Sequence, residues 1–437
     1  MGIISLIVSE YILRFKYRLN YISSYYSLIL KLERKTIMNQ RDYIIIGNGI
    51  AGLSAAETIR KNDEKGKITV ISAENYLTYY RVKLSHFISK DFKDDELFVH
   101  DEKWYKDRNI EVILGKSVAK IDTYADEVEL SDGSKMVYGK LLLANGSKPF
   151  VPPIKGNEKE GVFALRTIDD LKKAQAYFKG CNSITVIGGG LLGLEAAWAI
   201  KKLNKEVNIV EFFPHLLPRQ LDEGLSKEFG NLLEENGLNL YLGAGTDEIL
   251  GNGKVEGVRL QDGREIKTDA ILISAGIRPI LDIVKDSNIE FDKGVKVDSS
   301  MRTNVHNVYA AGDVAELNGM VVGLWGISGD EGAVAGENMT GGNAEYTIPE
   351  LNAMLMLDKL SVFSVGNVKD CDKTIEEVDE AKKAHYKLFL AKGKVIGGVV
   401  MNDMSKVPKV KKIVNKNMDL TEQLQNNMSF NEIIQTM

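Results

Sequence analysis

Apolar residues in this chain come in short uninterrupted runs rather than in strict alternation with polar ones. Tyr43-Ile44-Ile45-Ile46, Ile68-Thr69-Val70-Ile71, Leu141-Leu142-Leu143 and Val308-Tyr309-Ala310-Ala311 are each about one strand long. Runs of this kind predict strands covered on both faces, as in a parallel sheet flanked by helices. Between the first two runs, Leu53 to Arg60 is predicted to be helical, with small residues at Ala51, Ala55 and Ala56 suited to close packing. The order then repeats: strand Ile184 to Ile187, helix Leu194 to Lys202, strand Val207 to Val210 and strand Ile271-Leu272-Ile273. In each half an Asp-Gly pair, Asp132-Gly133 or Asp262-Gly263, marks a hairpin between short strands. The pattern predicts an α/β fold with two Rossmann-like domains of one design.

Glycines supply the candidate chemistry. The first strand runs into Gly47-x-Gly49-x-x-Gly52 and the strand Ile184 to Ile187 into Gly188-x-Gly190-x-x-Gly193, each followed by a predicted helix. In such a turn the first glycine permits the bend, the second lets a pyrophosphate approach the backbone, and the third lets helix and strand pack closely. Unpaired N–H groups at the helix start then face the phosphates. Standing alone, the spacing also describes an ordinary strand-to-helix turn; the strand before and the helix after give it meaning. Each second strand ends near an acid, Glu74 and Glu211. A third signature, Thr303 to Asp313, is predicted to be a strand ending in Gly312-Asp313, which either carries a carboxylate to a ligand hydroxyl or caps a helix.

From about Tyr346 the character changes. Strand-like runs at Ser361 to Val365, His385 to Ala391 and Lys394 to Met401, with a lysine-rich helix near 406–416, predict a small α+β domain. The first 37 residues mix apolar runs with Arg14, Lys16 and Arg18 and never reach the roughly 18 apolar residues of a spanning helix. They read either as a misassigned start, with Met38 as the first residue, or as a basic, aromatic surface anchor. The boundaries expected are an extension at 1–37, one discontinuous domain at 38–150 and 270–343, a second at 151–269, and a third at 344–437.

Composition narrows the class. The net charge is −5 and 44% of residues are hydrophobic, so no global pull toward nucleic acid is indicated. Cys181 and Cys371 form no metal-ligand or disulfide pattern. A cytoplasmic setting is the expectation.

With these residues assembled, the chain resembles the FAD-dependent pyridine nucleotide oxidoreductases with two dinucleotide-binding domains of the glutathione-reductase type, and among them the NADH:rubredoxin oxidoreductases. The marks are the two glycine loops, Tyr79-Tyr80-Arg81, Ala144-Asn145-Gly146-Ser147-x-Pro149, Leu165-Arg166-Thr167, Glu195, Arg278-Pro279 and Gly312-Asp313. The resemblance implies that Gly47, Gly49 and Gly52 hold the FAD pyrophosphate and that Glu74 binds its adenosine ribose. Val118 would meet the adenine end through its backbone, Asn145 and Gly146 would lie under the flavin, and Asp313 would bind the ribityl chain. Gly188, Gly190 and Gly193 would take NADH, Glu211 its ribose hydroxyls, and Glu195 would lie between nicotinamide and flavin. Many relatives carry a lysine where His86 stands; Arg81 or Lys83 could supply that positive charge, with His86 as a packed or capping histidine.

Relatives that use a thiol relay keep cysteines beside the flavin, in the nicotinamide domain, or just after the ribose acid, and Glu74 to Ser89 contains none. The resemblance therefore implies hydride transfer from NADH to the flavin, then two one-electron transfers to a small acidic iron–sulfur protein, rubredoxin or ferredoxin. Rival readings are an NADH oxidase, an electron-input module for nitrite reduction, and an NADH-dependent signalling flavoprotein. Lys406, Lys409, Lys411, Lys412 and Lys416 could steer an acidic partner, or could simply be a solvated helix face.

Overall fold

The computed structural model describes residues 42–436. The N-terminal extension, and with it the choice between a start at Met38 and a surface anchor, lies outside the described residues. The chain forms two compact units. The first comprises the described residues up to Tyr79, then Val99–Ser147 and Pro279–Tyr346; the second comprises Tyr80–Phe98, Lys148–Arg278 and Thr347 onward.

In the first unit five strands form one parallel sheet in the order Val308–Ala310, Lys140–Leu143, Asp42–Ile46, Lys67–Ile71, Ile110–Ile113. The continuous apolar runs are explained by cover on both faces: Ile44, Ile45, Ile68, Val70, Leu141 and Leu142 are all buried. One layer is the helix Ile50–Asn62 lying against the helix Trp325–Met339. Small residues allow this close approach, since a Cβ at Gly332 would stand 2.1 Å from the Ala51 carbonyl oxygen and one at Gly336 2.7 Å from that of Ala55. The other layer is the three-stranded antiparallel hairpin sheet Val118–Asp122, Glu127–Leu130, Lys135–Val137, turned at Gly133 with φ +80.

The second unit repeats the plan. Its parallel sheet runs Asn239–Tyr241, Glu206–Val210, Ser183–Ile187, Ala270–Ile273, Val162–Ala164. The helix Leu191–Lys201 follows the second glycine loop, and a matching antiparallel sheet spans Thr246–Leu250, Gly257–Leu260 and Glu265–Lys267. The same unit carries a five-stranded antiparallel sheet ordered Asn352–Leu357, Leu360–Gly366, Lys394–Met401, Ala384–Ala391, Lys373–Asp379. The helix Val407–Asn415 covers it, burying Val410, Ile413 and Val414 against Phe363, Leu388 and Val400. That apolar stripe at helical spacing turns the lysines outward. Two of them are tied down: Lys406 Nζ donates to Asn431 Oδ1 at 3.2 Å and Lys409 Nζ to the Ile434 carbonyl at 2.9 Å.

Candidate functional site

In a parallel sheet all strand C-termini share one edge, and that edge gathers the residues the sequence singles out in the first unit. Gly47 follows Asp42–Ile46, Glu74 follows Lys67–Ile71, Val118 follows Ile110–Ile113, Asn145 and Gly146 follow Lys140–Leu143, and Gly312-Asp313 follows Val308–Ala310. The strand order reverses between Asp42–Ile46 and Lys140–Leu143, and ligands of open α/β sheets bind at such a switch point. Gly47 sits there at φ +112, its N–H bonded to the Ile71 carbonyl at 2.8 Å.

The polar groups at this edge are held in place. The Tyr79 hydroxyl donates to Glu74 at 2.7 Å. Asn145 donates from Nδ2 to the Ile280 carbonyl at 2.7 Å, while its Oδ1 is buried with no protein partner. Asp313 accepts from the Ser147 hydroxyl at 2.7 Å and the Ser328 hydroxyl at 3.3 Å. Gly312, at φ +78, donates its N–H to Glu331 at 2.8 Å.

The second unit places its residues on the equivalent edge. Gly188 has φ +118 and donates to the Val210 carbonyl at 2.8 Å. Glu211, buried at the end of Glu206–Val210, accepts the Gly189 N–H at 2.5 Å and the Phe213 N–H at 2.9 Å. On the helix Leu191–Lys201, Glu195 accepts from the Ser85 hydroxyl at 2.8 Å, and its other oxygen stands 3.9 Å from His86 Nε2. Burial pushes the Glu195 carboxyl above the usual carboxylate range, against the opposing pull of the Ser85 bond and the His86 charge.

His86 therefore neither packs in a core nor caps its helix, whose caps are Lys83 and Ile88. Its half-exposed ring turns to Glu195 because the short helix Leu84–Phe87 faces Leu191–Lys201. Arg81 donates to the Arg166 carbonyl, and Lys83 Nζ lies 4.0 Å over the Tyr80 ring. Arg81 and Lys83 are the candidates for the positive charge beside Glu195, but it is the His86 ring that the structure brings to the carboxylate.

Whether these residues fit a bound dinucleotide can be asked of the middle glycines. The outer glycines are required by the fold itself. A Cβ at Gly47 would lie 2.1 Å from the Ala144 oxygen and one at Gly52 2.1 Å from the Gly47 oxygen; at Gly188 and Gly193 the distances are 2.3 and 2.0 Å. Gly49 and Gly190 have ordinary φ of −90 and −82, and a Cβ at either would meet nothing within 4 Å. No internal packing demands glycine there, so the open space suits a group brought by a ligand, as the pyrophosphate of a dinucleotide is.

Residues 41–332 match the family described as pyridine nucleotide-disulphide oxidoreductase. The chain belongs to this family. Residues 352–418 match the rubredoxin NAD+ reductase C-terminal domain. The chain is 31% identical to the NADH-rubredoxin oxidoreductase of Clostridium acetobutylicum over 380 residues, covering 86% of this chain and 95% of that protein. It is 32% identical to a NAD(P)H nitrite reductase of Bacillus subtilis, covering 88% of this chain and 48% of that one, so the chain spans about half the length of that relative. The crystal structure of the Clostridium acetobutylicum NADH:rubredoxin oxidoreductase superposes with a TM-score of 0.77 at 29% identity, over 91% of this chain and 99% of that one. The family is FAD- and NADH-dependent, and these are the cofactors of this chain. Among the described residues no helix is long and apolar enough to cross a membrane.

Sequence reasoning missed four residues of this pyridine nucleotide oxidoreductase. Ser85, Ser328 and Glu331 carry no local motif, and their roles come from contacts 110, 15 and 19 residues away. Ser147 belongs to the quoted Ala-Asn-Gly-Ser run, which signals its place but not its bond to Asp313.

Proposed function

We propose that the chain passes electrons from NADH, by way of FAD, to a small one-electron iron–sulfur protein, with rubredoxin as the acceptor. One observation carries the choice of acceptor: the antiparallel sheet and lysine-bearing helix at the C-terminus fall in the segment that matches the rubredoxin NAD+ reductase C-terminal domain.

In this reading residues 38–150 and 270–343 form the FAD domain, 151–269 the NADH domain and 344–437 a C-terminal domain, although Tyr80–Phe98 and the residues from Thr347 onward group with the NADH-binding segment in the second compact unit. Gly47, Gly49 and Gly52 present backbone N–H groups to the FAD pyrophosphate, and Glu74 and the Val118 backbone bind its adenosine end. The orphaned Asn145 Oδ1 and Gly146 line the ring, and Asp313, oriented by Ser147 and Ser328, accepts the ribityl hydroxyls. Gly188, Gly190, Gly193 and Glu211 bind NADH. Glu195 holds a proton more tightly than an exposed carboxyl would, with Ser85 and His86 fixing its orientation and Arg81 and Lys83 adding local positive charge. FAD, when bound, supplies the step from two-electron to one-electron chemistry.

A second reading, an electron-input module for nitrite reduction, is supported by the nitrite reductase relative of which this chain spans about half. Steady-state NADH oxidation with rubredoxin, ferredoxin and dioxygen in turn tests the choice. The proposal expects kcat/KM for rubredoxin to exceed the other two by at least about ten-fold, or 1.4 kcal/mol. Comparable values for ferredoxin or dioxygen would refute rubredoxin as the acceptor, and slow turnover with all three would favour the second reading.

A further inference from the structure

Glu331 is an acid in a place that suits a neutral residue. It lies on the helix Trp325–Met339, is 4% exposed, and spends one carboxyl oxygen on the Gly312 N–H at 2.8 Å. The next residue in its own helix, Gly332, is where the helix touches the Ala51 backbone, which places Glu331 at the buried seam between the two helices. The residue it holds precedes Asp313, whose carboxylate is already aimed by two serine hydroxyls.

We propose that Glu331 is a pH-sensitive positioning residue of the flavin site, which accepts the Gly312 N–H in either protonation state and whose proton occupancy sets the negative charge beside the Gly312-Asp313 turn that receives FAD. The proposal rests on the assignment of Asp313 to the flavin. An acceptor is needed behind Gly312, because a buried N–H at a left-handed glycine would otherwise go unpaired. A carboxylate as that acceptor places a second negative charge beside Asp313 and near a ligand that carries two more.

Among the described residues the groups facing Glu331 are all of the wrong sign or neutral. They are Asp313 on the turn, Asp330 in its own helix, and the Tyr346 hydroxyl, which is buried without a partner and is pushed up to about 12 by burial, Glu331 and Asp330. The opposing helix Ile50–Asn62 offers no cation there: Arg60 is spent on the carbonyls of Asp63, Gly66, Arg108 and Asn109, Glu57 pairs with His100, and Lys61 is exposed. Burial first, then Asp313 and Asp330, push the Glu331 carboxyl up from 4.5 to about 7. Between those values the folded protein holds a proton that the unfolded chain has released. Glu331 therefore stabilises the fold fully below about 4.5, and that contribution is lost as pH rises toward 7.

The test compares wild type, Glu331→Gln and Glu331→Leu for FAD dissociation constant and apoprotein thermal stability between pH 5.5 and 8.5. The wild type should lose FAD affinity about five-fold as pH rises through neutrality, because the newly charged carboxylate opposes an anionic ligand. Glu331→Gln keeps an acceptor for Gly312 and should bind FAD with a flat pH profile and be the more stable protein at pH 8.5. Glu331→Leu should bind FAD weakly at every pH. A Glu331→Gln profile that tracks the wild type would overturn this proposal while leaving the flavin site intact. Failure of the wild type to bind FAD at any pH would overturn the assignment of the site, and this proposal with it.

Discussion

The Ser85 hydroxyl donates a 2.8 Å hydrogen bond to the Glu195 carboxylate from 110 residues away. It is the one neutral group that stabilises the charged form of this carboxyl, against burial that raises it. Ser85→Ala should therefore move the Glu195 limb in the pH dependence of flavin reduction by NADH to higher pH. His86→Lys, which puts a permanent charge beside the same carboxylate, should move it lower. Rapid-mixing rates at a series of pH values check both, and superimposable profiles for the three proteins would separate Glu195 from the reaction.

Glu211 predicts preference for NADH over NADPH, since a carboxylate at the end of this strand accepts ribose hydroxyls and repels a 2′-phosphate. The gap in kcat/KM should be at least about ten-fold. Glu211→Arg should narrow it, but the carboxylate also accepts the Gly189 and Phe213 N–H groups, so the variant should lose about 1–3 kcal/mol of stability as well. Glu211→Gln, which keeps an acceptor oxygen, separates the two effects. Equal use of both nucleotides by the wild type would contradict the assignment.

What could be read from the sequence was local. Continuous apolar runs gave the parallel strands, and the glycine spacings gave the turns between strand and helix, because both signals lie within a dozen residues of one another. The strands Asn352–Leu357 and Lys373–Asp379 went unread because they are sheet edges, and the second carries Lys373, Thr374, Glu376, Glu377 and Asp379. The packing of Tyr80–Phe98 with the second unit was equally silent. It depends on distant partners: Gln175 donating to the carbonyls of Phe87 and Lys90, Lys172 paired with Asp94, and Ser85 bound to Glu195. Glu331 carries no signal of its burial, since nothing in its sequence neighbours reveals that Gly332 presses its helix against Ala51.

The lysine helix gives a salt-dependent prediction that the structure sharpens. Lys406 and Lys409 already serve the C-terminal segment as hydrogen-bond donors, so Lys411 and Lys416 are the better probes of steering. If this face meets an acidic rubredoxin, raising ionic strength from about 10 to 150 mM, which shortens the Debye length from about 30 to about 8 Å, should slow rubredoxin reduction several-fold. Charge reversal at Lys411 and Lys416 should flatten that dependence while leaving flavin reduction by NADH unchanged. An unaltered salt profile would move the docking surface elsewhere.

If two loops of one design divide the work, FAD on the first and NADH on the second, substitutions at the two middle glycines should have different consequences. Flavin content by absorbance, followed by anaerobic reduction with NADH, should be measured for Gly49→Val and Gly190→Val side by side. Neither substitution meets a protein atom within 4 Å of its Cβ, so both variants should fold. Gly49→Val should be purified without flavin, whereas Gly190→Val should carry about one FAD per chain and be reduced by NADH at least about a hundred-fold more slowly than wild type. A Gly49→Val protein with full flavin, or a Gly190→Val protein reduced at the normal rate, would contradict this division of work.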